Sequence, residues 1–473
     1  VQTKERGKQM VQGFDVDLVV VGSGGAGMAA AITARRAGKE VLVIERDTLG
    51  GTCVNIGCVP SKTLLAAAGT RQAALTNPFP GVPTSAAGVD LGSLVGQKDQ
   101  LITRLRDTKY AEVAAAHGFQ IRTGEASFVD PDTLVVDGTP VTAGSIVLAT
   151  GAVPALPQDV TGLDEVDYLT STTAMALTEL PESMIIIGGG YVGIEQAQLF
   201  ADLGTRVTII GRIAPTAEPE MTAILRQTLT LDGITVLEEH ATGVTQEHDQ
   251  IQVATASGRS LCAERLLVAT GRRPSTEHLN LPAAGITTDQ EGFILVDDHQ
   301  RTTNARVFAA GDVTAAPQYV YVAAATGKAA AANALRTDPQ VPATKVDYTG
   351  LPAVIFSRPQ LATAGLTEAA ARRAGYRCHS RVLSFQDLPR ALVNHDTCGA
   401  LKMVAETGTD KILGISAIGD HAAELLLPAT YAITAGMTTR HLADTWAPYL
   451  TTSEALRLVA GTFHDELPTS CCA

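Results

Sequence analysis

Cys53 and Cys58, in the stretch Gly-Gly-Thr-Cys-Val-Asn-Ile-Gly-Cys-Val-Pro-Ser-Lys over 50–62, are the side chains of this sequence best suited to redox or soft-metal chemistry. Their C-x4-C spacing is not that of a zinc ribbon, and no second Cys or His pair stands where it would complete four ligands. On a regular helix two residues five apart point about 140° away from each other. A bond between the two sulfurs therefore needs a locally distorted helix, which Gly57 and Pro60 permit. A buried, inert pair is the plain alternative, since free cysteines are commonly core residues. A second thiol pair, Cys471 and Cys472, stands just before the last residue, Ala473. Adjacent thiols on a terminal segment are not core formers, and a segment that moves suits a carrier that collects a ligand and delivers it. Two soft thiolates satisfy a soft ion that prefers linear two-coordination; extended beyond that rule, the same preference suits Hg(II). Incidental cysteines on a disordered tail are the competing reading.

The elements that must position these groups follow from the hydrophobic pattern. Residues 16–45 read as strand, glycine turn, helix and strand, and the same pattern returns at 183–212. In the first copy Gly22, Gly24 and Gly27 form G-x-G-x-x-G between strand and helix, and Glu45 closes the second strand 18 residues after Gly27. Such glycines admit a pyrophosphate close to a helix N-terminus, and the acid accepts hydrogen bonds from a ribose. The second copy, Gly188, Gly190 and Gly193, has Arg212 in place of the acid, 19 residues after Gly193. An arginine there pairs with a 2′-phosphate, so NADPH is favoured over NADH; a solvated surface arginine is the alternative.

Each unit is followed by a strand ending in Ala-Thr-Gly, at Gly151 and Gly271, and a third apolar strand ends at Gly311 and Asp312. A second nucleotide unit inserted into the first accounts for this order. The expected domains are 1–150, 151–274, 275–345 as the return of the first, and a mixed α+β segment over 346–473. The class is α/β, with two Rossmann-like units. Forty-four glycines and only 4% aromatic residues suit it better than an all-β sandwich.

A net charge of −13 without any basic block argues against nucleic acid as a partner. The uncharged run Leu18–Ala34 is interrupted by glycines, so no membrane span is expected. Seven cysteines in a long chain without a secretory signal point to the reducing cytoplasm. Cys262, entering a strand, reads as packing, and Cys378 and Cys398 are assigned no role.

The dithiol stretch, both fingerprints, the two Ala-Thr-Gly strands and Ala-Ala-Gly-Asp resemble the FAD-dependent pyridine nucleotide-disulfide oxidoreductases over essentially the whole chain. That resemblance implies an FAD held by the first fingerprint, Glu45, Thr52, Lys62 and Asp312, with further cofactor contacts at Gly51, Ala126, Gly151, Gly271 and Val320. It implies NADPH on the second fingerprint, and a dimerisation domain over 346–473 that makes a homodimer. Cys58 would face the flavin as the charge-transfer thiolate, and Cys53 would meet the substrate. Tyr191 resembles the gate residue over the flavin, with a packing aromatic as its alternative, and Glu195 resembles the partner of Lys62.

Two departures bear on the substrate. Disulfide-reducing members carry a His-Pro segment followed by a glutamate near the C-terminus, because a departing thiol needs a proton. Here the stretch reads Ala-Pro-Tyr-Leu-Thr-Thr-Ser-Glu, with Tyr449 where the histidine would stand and Glu454 retained. An ordinary phenol titrates near 10 and is a poor acid-base group at neutral pH. Tyr449, Glu454 and the Cys-Cys terminus resemble the members of the family that reduce Hg(II). In these, the terminal pair of one subunit would pass the ion to Cys53 and Cys58 of the other, along a route lined by Tyr191 and Tyr449. Many such members also carry an N-terminal heavy-metal-binding domain; the expectation here is a catalytic core without it. The rival readings are a thioredoxin-reductase-like thiol-disulfide reductase and a flavoprotein that only sequesters metal.

Overall fold

The computed structural model describes residues 15–465, so Cys471 and Cys472 lie outside the described residues. The chain forms two compact units. One comprises the residues up to Pro60 with Gly96–Ala155 and Arg272–Asp347, and the other comprises Ser61–Val95, Leu156–Gly271 and the residues from Tyr348 onward.

The first unit starts with β1 (Val16–Val21), α1 (Gly25–Arg36) and β2 (Val41–Glu45). Leu18, Val19 and Val20 are completely buried. An uninterrupted apolar run of this kind is what a parallel strand covered on both faces requires. The five strands are all parallel, in the order Val307–Ala309, Ala143–Leu148, β1, β2, Gln120–Thr123. Register places Val21 opposite Ile44, and the Gly22 amide donates to the Ile44 carbonyl at 2.8 Å, so the glycine turn opens beside Glu45. After β2 the chain makes two helices in quick succession, α2 (Gly51–Asn55) and α3 (Cys58–Leu75).

The second unit repeats the pattern with β3 (Ser183–Ile187), α4 (Tyr191–Leu203) and β4 (Arg206–Ile210). Its parallel sheet runs Thr235–Leu237, β4, β3, Arg265–Val268, Tyr168–Leu169. The same unit holds a five-stranded antiparallel sheet in the order Pro352–Ile355, Gln360–Gly365, Ile412–Gly419, Ala400–Glu406, Cys378–Ser384. Two of these strands, Pro352–Ile355 and Gln360–Gly365, precede the helix Glu368–Arg373. They are separate strands because the chain turns at Ser357–Pro359, where proline has no amide to offer a ladder.

Residues 61–95 and the C-terminal segment group with the second fingerprint for a physical reason. Leu64, Ala68, Leu91 and Val95 share one core with Ile194 and Phe200 of α4 and with Leu361, Ala400 and Ile418 of the antiparallel sheet. A buried lysine adds an ionic tie: Lys402 lies 3.1 Å from Glu218, 2.9 Å from Glu220 and 3.0 Å from Glu368. Among the described residues no helix is long and apolar enough to cross a membrane.

Candidate active site

The two cysteines stand on either side of a helix break. Cys53 is in the middle of α2 and Cys58 is the first residue of α3. Ile56, at φ −139°, ends α2. Gly57 then passes so close to the preceding helix that a Cβ on it would lie 2.9 Å from the Thr52 carbonyl oxygen. Pro60 falls in the first turn of α3, where its missing N–H has no helical partner to lose. Cys53 is half-buried and Cys58 is exposed. The thiol of Cys58 sits at the N-terminus of an 18-residue helix, where the helix dipole favours the thiolate.

Around this break the first unit gathers a backbone cradle. Gly22 turns with φ +103°, and a Cβ on Gly27 would overlap the Gly22 carbonyl, so strand and helix meet only because both residues are glycine. A Cβ on Gly51 would stand 2.7 Å from the Gly24 Cα, which brings the turn before Cys53 against the fingerprint. Val320 reaches the same place, its Cγ2 lying 3.1 Å from where a Cβ on Gly25 would be. Glu45 is already oriented: its Oε2 accepts from the Ser23 amide at 2.9 Å and from the Ser23 hydroxyl at 2.5 Å, and its Oε1 accepts from the Asp47 amide at 3.0 Å. A glycine-lined helix N-terminus with a fixed carboxylate at the end of the second strand fits the pyrophosphate and ribose of FAD. Asp312 follows Gly311, whose missing Cβ lets Ala26 and Ala323 approach. Burial raises the Asp312 carboxyl, opposed by the charge of Arg272. Gly151, at φ +71°, accepts from the Ser275 amide at 2.9 Å. Ala126 is buried in the apolar core of this unit.

Within the second unit Lys62 and Glu195 pair at 2.7 Å, as the resemblance implied. Glu195 is buried, its other oxygen accepts from the Phe356 amide at 3.0 Å, and the Lys62 ammonium lies 4.7 Å from the centre of the Phe356 ring. Tyr191 opens α4 right after Gly190 and packs against the core. Gly188 takes φ +120° and Gly193 is as tight against Gly188 as Gly27 is against Gly22. Arg212 is exposed and makes no ion pair among the described residues. Gly271 turns at φ +140° at the end of its strand. Tyr449 is half exposed on a loop, beside Trp446, which is almost wholly exposed. Glu454 begins a helix, is buried, and its Oε2 has no hydrogen-bond partner among the described residues.

Several residues near the thiols escaped the sequence reading. Tyr110 feels the dithiol directly: burial first, then the negative charge of Cys53 and of Cys58, push its phenol up to about 12. Burial and the charges of Tyr319 and Cys58 raise the Tyr321 phenol, whose ring stacks on Tyr319 with centroids 5.3 Å apart. Burial lowers Arg272, and Asp312 and Cys58 counter it. No motif spacing points to these side chains. Of the other cysteines, Cys262 is exposed on an edge strand, against the packing expected of it, while Cys378 is half-buried and Cys398 is exposed.

The class follows from two glycine-fingerprint units with a dithiol on a broken helix beside one of them. The family model described as pyridine nucleotide-disulphide oxidoreductase matches residues 16–327, and that of its dimerisation domain matches 351–460; the chain belongs to this family. Among curated relatives, mercuric reductase of Streptomyces lividans is 47% identical over 97% of this chain and 98% of its own length. Mercuric reductase of Staphylococcus aureus is 43% identical over 97% of this chain and 84% of its own. Among solved structures, the HOCl-induced flavoprotein disulfide reductase RclA from Escherichia coli aligns with a TM-score of 0.83 at 28% identity, covering 94% of this chain and 99% of that one.

Proposed function

We propose that this protein is an NADPH-dependent mercury(II) reductase that serves mercury detoxification. The balanced reaction is NADPH + Hg(II) → NADP⁺ + H⁺ + Hg(0). The observation that carries the reading is a dithiol on a broken helix in a chain with Tyr449, not an imidazole, ahead of the buried Glu454. Substitution of the histidine removes the proton donor that a departing thiol needs, and a metal ion that gains two electrons needs no proton. Full-length similarity to the mercuric reductases supports the same substrate.

The glycine cradle with Glu45, Gly51, Thr52, Gly151, Asp312 and Val320 would hold FAD. FAD, when bound, supplies the two-electron relay between nicotinamide and metal. The chain's own residues do the rest. Gly188, Gly190 and Gly193 admit the NADPH pyrophosphate, and Arg212 receives its 2′-phosphate. Cys53 and Cys58 take Hg(II) as a pair of soft thiolates. Cys471 and Cys472 collect the ion from bulky thiol complexes and hand it on, across the interface of a homodimer built on the 351–460 domain. Tyr191 and Tyr449 line that route. A reducing compartment, the cytoplasm, keeps these thiols available.

The test is NADPH consumption by the FAD-loaded protein with Hg(II) in excess small thiol, with mercury vapour trapped, beside assays with oxidised glutathione, lipoamide and thioredoxin. Mercury-dependent oxidation with matching Hg(0) is expected. Activity with a disulfide alone would overturn the reading and make the terminal pair an electron relay. NADPH oxidation with no acceptor-dependent turnover would leave a metal-sequestering flavoprotein. The double substitution Cys471→Ala with Cys472→Ala is expected to slow turnover on bulky thiol complexes while leaving flavin reduction by NADPH intact.

A further inference from the structure

We propose that the helix over 91–117 braces the dithiol turn, with Arg106 and Tyr110 as positioning residues that keep Cys53 within bonding reach of Cys58. The proposal rests on the redox reading of that pair. The break at Ile56 and Gly57 leaves α2 only five residues long, and a helix that short does not hold itself together. Its placement must come from outside.

Two contacts supply it. Arg106 Nε donates to Asn55 Oδ1 at 3.0 Å, and Asn55 Nδ2 donates to the carbonyls of Leu49 at 3.0 Å and Gly51 at 2.9 Å. The Asn55 amide thus links the last residue of α2 to the turn before its first, and Arg106 fixes the amide. Tyr110 seats the other end. Its Cδ2 lies 3.4 Å from where a Cβ on Gly50 would project, at a residue whose φ of +105° marks the turn into α2. Both braces lie on one helical run, which changes to a π-helical turn at Asp107–Ala111 before continuing as Glu112–His117. One extra residue in a turn rotates the following side chains by about 100°. That re-aims Tyr110 relative to Arg106, and π turns recur at functional sites. The half-buried phenol stays protonated beside the thiols.

A disulfide requires Cα atoms about 4.4–6.8 Å apart. A brace that keeps α2 from drifting raises the effective concentration of one thiol at the other, and so makes the bond harder to reduce. The exchange that measures this is Cys53-SH + Cys58-SH + GSSG ⇌ the Cys53–Cys58 disulfide + 2 GSH, in which both electrons pass to the glutathione sulfurs.

The experiment equilibrates the full-length, FAD-loaded protein anaerobically in glutathione buffers and traps free thiols by alkylation. It then weighs the tryptic peptide spanning 47–62, which contains Cys53 and Cys58 and no other cysteine. Tyr110→Ala and Arg106→Met are each expected to lower the exchange constant about tenfold, a midpoint about 30 mV less negative. Tyr110→Phe, which keeps the ring, should restore the wild-type midpoint. Folded Tyr110→Ala and Arg106→Met proteins with the wild-type midpoint would overturn the brace. Should Tyr110→Ala fail to fold, the half-exposed Arg106→Met decides alone. A wild-type peptide that never forms the disulfide would instead sink the redox reading, and the brace with it.

Discussion

The two glycine fingerprints share a backbone and differ in one matched pair of residues. In each, the last glycine admits the carbonyl of the first, at Gly27 on Gly22 and at Gly193 on Gly188, and the first takes a positive φ. The residue between the first two glycines is fitted to the residue closing the second strand. In the first copy Ser23 binds the Glu45 carboxylate through both its amide and its hydroxyl. In the second copy the same place is Gly189, where a Cβ would overlap the Arg212 carbonyl. The turn is therefore the same in either copy, and this pair sets what lies beyond it: a fixed acid in one, and in the other an exposed guanidinium with no ion pair among the described residues.

The largest effect should come from the shared part. Gly27→Ala and Gly193→Ala each force a Cβ into backbone and are expected to cost more than about 4 kcal/mol in urea unfolding. Gly190→Ala opens into free space and should stay within about 0.5 kcal/mol. Equal costs at Gly193 and Gly190 would break the shared-backbone view. Next, Arg212→Glu should lower the ratio of kcat/KM for NADPH over NADH about tenfold to a hundredfold, as loss of a charged hydrogen bond would. An unchanged ratio returns Arg212 to the solvated surface.

The matched pairs themselves are sharper tests. Gly189→Ser should raise the KM for NADPH about tenfold, roughly 1.4 kcal/mol, with FAD affinity untouched. Ser23→Gly should do the reverse, weakening FAD by about 1 kcal/mol through a loosened Glu45 while sparing NADPH. If both variants affect the same cofactor, the two copies are not independently fitted.

The smallest contrast concerns acid. Only the second unit carries the Lys402 cluster, and there the Ser380 hydroxyl, then Lys402, hold the Glu368 carboxyl at about 2 against an ordinary 4.5. A depressed carboxyl stabilises the fold above its unfolded pKa, and that stability is lost as pH falls from about 4.5 toward 2. Glu368→Gln should lower the melting temperature at pH 7 and flatten its decline across that window, with no change below pH 2. An equally steep decline would show that other groups govern acid unfolding.

Most of the chemistry was legible because it is local. Cys53, Gly57, Cys58 and Pro60 lie within eight residues, so the break itself follows from neighbouring residues, while the placement of the short helix before it does not. The glycines are legible for the same reason: their role depends on the missing side chain and the adjacent strand and helix. Tyr110, Arg272 and Tyr321 were not legible, since each reaches the dithiol from 50 or more residues away. Nor was the grouping of 61–95 with the second core, because apolar residues such as Leu64 and Val95 carry a period but no address.

The order of residues by itself determined the two β-α-β units, the dithiol on a distorted helix and the tyrosine in place of an imidazole. Each rests on covalent geometry or side-chain chemistry that acts over a few residues. Tertiary structure alone decided that Ser23 orients Glu45, that Arg106 and Tyr110 seat α2, that Lys402 meets three carboxylates, and that one buried Glu454 oxygen has no hydrogen-bond partner among the described residues. Those outcomes depend on which distant surfaces pack together, and hydrogen bonds and ion pairs form only once packing has brought their partners within about 3 Å.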